Sequence, residues 1–151
     1  MLAKAILLTA AIGLSGVVAT PAGATAARSP ESICGSGFWI VKGGTQPVKT
    51  SSGRRYGTVY LLYSRSSGEN CVVTVKSSFV GTKTPMSAML TVQPKGKKVV
   101  ERVDSGKFAY YAGPVKYYAA NACVKFWGSI KPNGHDPAVA GGGRQAWGNC
   151  T

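Results

Sequence analysis

A secretory leader at residues 1–24 constrains this chain more than any other feature, because export fixes the redox conditions of folding. Lys4 supplies the positive start, residues 5–18 are apolar, and residues 22–24 fit a small-residue cleavage site before Thr25. The alternative is a membrane anchor, but a span needs about 20 apolar residues and this stretch is shorter. The sequence therefore predicts a cleaved signal, a secreted protein and no transmembrane segment in the mature form.

The cysteines all follow the predicted leader: Cys34, Cys71, Cys123 and Cys150. An even number of cysteines in an exported chain predicts two disulfides, for which three pairings exist. An up-and-down strand order favours Cys34 with Cys71 and Cys123 with Cys150, because each pair then lies near one end of the sheet. No C-x-x-C motif occurs and His135 is remote from every cysteine, so we expect neither a metal site nor a cofactor.

Short β-type segments alternate with turns, and no amphipathic helix is evident. Residues 58–64 are apolar on both faces, which indicates a strand covered on both sides. Residues 86–93 alternate and place Met86, Ala88, Leu90 and Val92 on a core face. The fold class is therefore all-β, a small antiparallel sandwich or barrel with seven or eight strands and two disulfides.

The domain boundaries follow from the same pattern. Residues 25–33 are expected to form a flexible N-terminus, and residues 34–151 form a single β-domain. Within that domain, residues 104–106 are predicted to form a hairpin turn between strands at 99–103 and 108–112. Strands at 115–119 and 123–127 are predicted to pair with each other. Residues 131–143 are rich in proline and glycine and are predicted to be coil.

The mature chain is strongly basic, with 17 Lys and Arg against five Asp and Glu, a net charge of +12. Such a charge favours an anionic cell-wall or spore-surface polymer as partner, or else serves solubility in a monomer. The candidate binding residues form local clusters: Arg54, Arg55, Lys95, Lys97, Lys98 and Arg102.

Catalytic groups are scarce. Glu101 and Asp104 lie on opposite faces of a predicted strand, which argues against a glycosidase pair. His135 and Asp136 are adjacent, but no nucleophile elbow accompanies them. The glycine run at 141–143 precedes no helix and is predicted to be a flexible connector rather than a phosphate loop. The sequence therefore predicts a protein that is not an enzyme.

The aromatic residues leave two interpretations open. The seven tyrosines either form a face that stacks sugars or bases beside basic residues, or fill half-buried strand positions. Trp39, Trp127 and Trp147 each lie within five residues of a cysteine, so we expect them to pack on the disulfides.

Five motifs together suggest a family. They are C-G-S-G-F at 34–38, G-T-V-Y-L at 57–61, N-C-V-V-T at 70–74, Y-A-G-P-V at 111–115 and C-V-K-F-W-G-S-I at 123–130. Their order resembles the spore-associated protein A family of small secreted actinobacterial proteins. The resemblance implies a non-catalytic protein associated with spores or the cell surface and brings no catalytic residues with it. The alternatives are a cationic antimicrobial or toxin-like protein and a secreted protease inhibitor.

Overall fold

The computed structural model describes residues 28–132 and 138–150, which form one short helix and eight strands. The elements are α1 (Pro30–Cys34), β1 (Phe38–Lys49), β2 (Arg55–Ser64), β3 (Glu69–Lys76), β4 (Thr84–Pro94), β5 (Val100–Phe108), β6 (Tyr111–Tyr118), β7 (Ala122–Ile130) and β8 (Ala140–Gly148). The predicted leader lies outside the described residues, as do His135 and Asp136. The all-β prediction is confirmed.

The strands form one antiparallel sheet in the order β5-β4-β7-β8-β1-β2-β3-β6, which curls into a nearly closed barrel. Odd-numbered strands run one way and even-numbered strands the other, so the connections alternate between two ends. We call the end with α1 and the β2–β3, β4–β5 and β6–β7 turns the helix end. The opposite end, with the other connections, is the distal end.

An apolar core fills the interior of the barrel. Its largest fully buried side chains include Tyr56, Leu61, Leu90, Phe126 and Ile130. The predicted core face of β4 is confirmed, because Met86, Ala88, Leu90 and Val92 are all at most 3% exposed. Alternation along β4 and β7 therefore directs every second side chain into the barrel, as expected for strands with one solvated face.

A second, smaller core lies outside the barrel, where α1 covers β1, β2 and β3. Cys34 and Cys71 are fully buried there with Leu62 and Val73, and Phe38 is 7% exposed. The Cys34–Cys71 disulfide fastens the helix to β3. Strands β2 and β3 are consequently buried on both faces, which explains their continuous apolar sequences.

The two disulfides join the predicted pairs, Cys34 with Cys71 and Cys123 with Cys150. The Cα atoms are 6.1 Å apart in the first pair and 4.0 Å apart in the second. Since Cys150 follows β8 and Cys123 opens the adjacent β7, the second bridge closes the C-terminal segment onto the helix end.

The barrel has two seams. Strands β1 and β8 pair only at Lys49 and Gly141. Strands β5 and β6 share no ladder among the described residues, but the Asp104 carboxylate accepts a hydrogen bond of 2.7 Å from the Gly113 backbone N–H. Nearby, the Arg102 guanidinium lies 5.0 Å from the centroid of the Tyr117 ring. Side chains therefore complete the cylinder where backbone pairing stops.

Several predicted boundaries are wrong. Residues 104–106 form no hairpin turn, because β5 runs straight through them in register with β4. Strand β6 pairs with β3 and not with its neighbour in sequence, β7. Tertiary pairing with β4 thus overrides the local turn chemistry at 104–106.

The predicted coil at 131–143 and the predicted loose segment at 25–33 are also partly wrong. Strand β8 begins at Ala140, so the glycine run lies in the sheet. A Cβ on Gly142 would overlap the Pro47 carbonyl oxygen, so only glycine permits this approach. Residues 30–34 are helical, and the Ser29 side chain caps the helix by accepting from the Ser32 N–H at 3.2 Å.

Candidate functional site

The six predicted binding residues fall into two groups at opposite ends of the barrel. Arg54 and Arg55 lie at the distal end, where β2 begins. Lys95, Lys97 and Lys98 lie in the β4–β5 turn at the helix end, and Arg102 follows them within β5. The fold therefore forms two separate basic clusters and does not bring the six residues into one patch.

The two arginines nearest the sheet are already engaged. The Arg55 side chain donates to the Gly57 carbonyl at 3.1 Å and to the Thr58 hydroxyl. The Arg102 side chain donates to the Glu101 carbonyl at 3.0 Å and stacks on Tyr117. Both guanidinium groups hold local structure, which limits what they can offer to a ligand.

The lysines between β4 and β5 form the more available cluster, which we call the basic turn (Lys95, Lys97 and Lys98). All three are exposed, and no hydrogen bond to the rest of the described chain engages their ammonium groups. The turn is closed by the Lys97 N–H, which donates to the Pro94 carbonyl at 3.2 Å, with Gly96 at φ +69°. Three cations therefore project from four consecutive positions without internal partners.

Lys76 is a buried lysine that sequence reasoning did not single out. It is 7% exposed, and its Nζ donates to the Thr82 carbonyl at 2.7 Å and the Phe108 carbonyl at 2.8 Å, with the Phe79 carbonyl at 3.5 Å. Burial lowers the pKa of this ammonium group. The side chain ties the β3–β4 loop to the end of β5, so Lys76 is a structural residue and adds nothing to an accessible basic surface.

Several tyrosines are divided between the two cores and the surface, which favours the packing interpretation. Tyr56 is buried in the barrel core, while Tyr60 and Tyr111 pack against the outer core. Tyr110 and Tyr118 are exposed at opposite ends of β6. A tyrosine platform beside Arg54 and Arg55 is therefore absent from the described surface.

The three tryptophans differ in their contacts and in their exposure to solvent. Trp127 packs against the backbone of Gly141, and Trp147 lies beneath Lys125, whose Nζ is 4.2 Å from the ring centroid. Trp39 is 72% exposed, so the expectation that it packs on a disulfide is wrong. An indole this exposed on a strand at the helix end is the most conspicuous apolar group on the described surface.

Trp39 borders an open groove of about 430 Å³, which we call the Trp39 groove. The residues that line it are Glu31, Ser32, Gly35, Ser36, Gly37, Phe38 and Trp39. Gly35 and Gly37 adopt φ values of +99° and +83°, a conformation that side chains rarely permit. The Lys116 Nζ lies 4.9 Å from the centroid of the Phe38 ring, which places a cation beside the groove.

The Asp104 carboxylate accepts the hydrogen bond from the Gly113 N–H at the seam between β5 and β6. Within residues 28–132 and 138–150, no group of three or more His, Cys, Asp or Glu side chains is arranged to hold a metal ion. Over the same residues, no helix has the length and apolar character needed to span a membrane.

Comparison with known proteins identifies one informative relative. Over 127 residues the chain is 36% identical to spore-associated protein A from Streptomyces coelicolor, an alignment that covers 82% of this chain and 75% of the relative. The chain belongs to the spore-associated protein A family. The resemblance drawn from the five motifs is thereby confirmed. No family model and no solved structure matches the chain.

Proposed function

We propose that this family member is an exported, non-catalytic protein that associates with the spore or cell surface by binding an anionic polymer through the basic turn. The observation that carries the proposal is the group of three exposed lysines at the helix end, for which residues 28–132 and 138–150 provide no hydrogen-bond partner. The name of the Streptomyces relative, a spore-associated protein, supports the proposed location.

Charge makes the basic turn suited to such a partner. The complete sequence has 18 Lys and Arg against five Asp and Glu. A lysine whose ammonium donors are not engaged elsewhere can approach a phosphate directly, and each phosphate that it neutralises releases condensed counterions. The distal cluster meets this condition less well, because the Arg55 guanidinium is bonded to the backbone of its own strand.

Binding to immobilised long-chain inorganic polyphosphate tests the proposal, measured between 50 and 400 mM NaCl. We expect affinity to fall steeply with salt, since charges at the surface are screened over about 10 Å at 0.1 M. The double variant Lys97→Gln/Lys98→Gln should lower the slope of log Kd against log salt by roughly 1.5, because each phosphate that a lysine neutralises adds about 0.7–0.9 to that slope.

The matched control is Lys49→Gln/Arg54→Gln, which removes two exposed charges at the distal end. It should change the slope by less than half as much. Equal losses in both double variants would show that the charge acts diffusely and would remove the basic turn as the site. No retention of the wild-type protein at 50 mM NaCl would leave solubility as the role of the charge.

Export is a separate part of the proposal, and it rests on the leader pattern at residues 1–24. The intact mass of the protein recovered from culture medium should correspond to a chain that begins near Thr25 and carries two disulfides. A membrane-bound species that retains residues 1–24 would contradict it.

A further inference from the structure

We infer that the Trp39 groove is a saccharide-binding subsite, which takes an uncharged sugar ring on the indole face of Trp39. The inference rests on the proposed function, in which the partner is a surface polymer. It adds that this polymer contains sugar rings and is therefore a glycan. It is carried by the geometry of the groove and not by the basic turn.

The exposure of Trp39 is the first observation. At 72%, Trp39 is the most exposed of the large apolar side chains in the described part of the chain, so its indole is open to a ligand. Trp39 is nevertheless held in register with Tyr63 on β2, so the ring is presented from a paired strand. A flat apolar ring suits a ligand that itself has one flat apolar face.

The residues that line the groove beside Trp39 include three with polar side chains, Glu31, Ser32 and Ser36. The Glu31 carboxylate only accepts hydrogen bonds, while the Ser36 hydroxyl both donates and accepts. The Ser32 hydroxyl donates to the Ser29 carbonyl at 2.8 Å and keeps its lone pairs for a further donor. A sugar ring matches this arrangement, because it joins an apolar C–H face to a rim of hydroxyls that donate and accept.

The sign of the charge argues against a nucleic acid in the same groove. Proteins that stack the bases of a single strand also bind its phosphates along a positively charged groove. Here Glu31 lines the groove and Lys116 lies beside it, so these two charges give the groove no net positive charge for a phosphate backbone. A neutral sugar hydroxyl, in contrast, donates to a carboxylate in a strong hydrogen bond. The adjacent Lys116 on Phe38 can meet negative groups elsewhere on the same polymer.

The groove is also built to keep its shape. Its volume of about 430 Å³ lies within the range of small-ligand sites. One wall is α1, which is capped by Ser29 and fastened to β3 by the Cys34–Cys71 disulfide. Gly35 and Gly37 carry the backbone from α1 into β1 with positive φ values. Because both are glycines, neither position places a side chain over the groove. Such preorganisation reduces the entropy lost on binding.

Retention on uncharged glycans in 0.5 M NaCl tests the inference, with cellulose, chitin, β-1,3-glucan and amylose as matrices. The high salt suppresses the electrostatic binding assigned to the basic turn. The wild-type protein should be retained on at least one matrix, and the matching hexasaccharide should change its tryptophan fluorescence. Affinity for that hexasaccharide should fall about 10-fold or more in Trp39→Ala and within about 5-fold in Trp39→Phe, which keeps a ring.

The control is Trp147→Ala, which removes a less exposed indole at the same end of the barrel and should change the affinity less than 2-fold. Far-UV circular dichroism and the melting temperature establish that each variant folds. No retention on any of the four glycans would overturn the inference, as would equal affinity of Trp39→Ala and wild type. Salt-resistant binding to oligothymidylate that disappears in Trp39→Ala would also overturn it, in favour of base stacking. Polyphosphate binding at low salt tests the proposed function separately. A failure of the saccharide site can therefore be distinguished from a failure of the basic turn.

Discussion

Replacing Asp104 with alanine should open the seam between β5 and β6. The carboxylate accepts a hydrogen bond of 2.7 Å from the Gly113 N–H, and no ladder among the described residues joins these two strands. Alanine removes the acceptor and leaves the Gly113 N–H, which is partly shielded from solvent, without its partner. A second side-chain contact at this seam is the stacking of Arg102 on Tyr117.

The magnitude follows from the kind of bond that is removed. Hydrogen bonds to charged groups contribute about 1.5–3 kcal/mol, and partial exposure of the Asp104 side chain places the cost near the lower part of that range. We expect the free energy of unfolding to fall by about 1.5–2 kcal/mol, or about 5–8 °C in melting temperature for a domain of this size. Asp104→Asn keeps an acceptor of the same shape and should lose roughly half as much.

Urea denaturation and amide hydrogen exchange provide the assay. The control is Glu101→Ala, which removes the same charge from an exposed position on the same strand. The difference between the two alanine variants isolates the hydrogen bond from the general effect of raising an already large positive charge. Protection of the Gly113 amide should fall in the Asp104 variant alone. Equal stability of the two variants, with Gly113 still protected, would refute the argument that this side chain closes the barrel.

Three further predictions concern the stability of variants at Lys76, at the two disulfides and at Gly128. Lys76→Met should cost about 2–4 kcal/mol because loop carbonyls lose a charged donor, whereas Lys107→Met, at an exposed position, should be nearly neutral in urea denaturation. Burial lowers the pKa of Lys76 in the folded protein below its unfolded value of about 10.4. Between these two pKa values the unfolded chain binds more protons than the folded one, so the stability of wild type relative to Lys76→Met should rise with pH there. Replacing either disulfide, Cys34–Cys71 or Cys123–Cys150, by two alanines should lower the free energy of unfolding by about 3.5–4 kcal/mol, because the unfolded chain gains loop entropy. The loss should be larger for the first pair, because its cysteines are fully buried and their replacement also leaves a cavity. The melting temperatures of the two variants check this. Gly128→Ala should cost at least about 1–3 kcal/mol, since its Cβ would overlap the Thr74 hydroxyl, and calorimetry should show the loss.

The sequence predicts the strands that have a strong two-residue period. It does not predict structure that depends on pairing with a strand distant in the chain. The alternation of β4 and the continuous apolar run of β2 identify their buried faces, because side-chain direction in a strand is a local property. The run at 104–106 has the composition of a turn, yet nine consecutive register pairs with β4 hold it extended. Such pairing is decided by residues distant in the chain, and a local pattern contains no information on it.

The disulfide pairs could be predicted because they depend mainly on which strand ends meet. An alternating strand order places Cys34 near Cys71 and Cys123 near the end of the chain at Cys150. The candidate site is a harder case. A list of basic residues cannot separate Arg55, which is bonded to its own strand, from Lys97, which is not. The Trp39 groove was not predictable from the sequence, because its walls come from the path of the backbone between α1 and β1.

The described chain enters and leaves the barrel at the same end. Strand β1 starts at the helix end, β8 finishes there, and the Cys123–Cys150 bridge holds the last residues against β7. A reporter or affinity tag fused near Arg28 or Cys150 would therefore crowd both the basic turn and the Trp39 groove. The connection from 50 to 54 between β1 and β2 is at the opposite end, so an insertion there would label the protein while leaving both surfaces open to a partner.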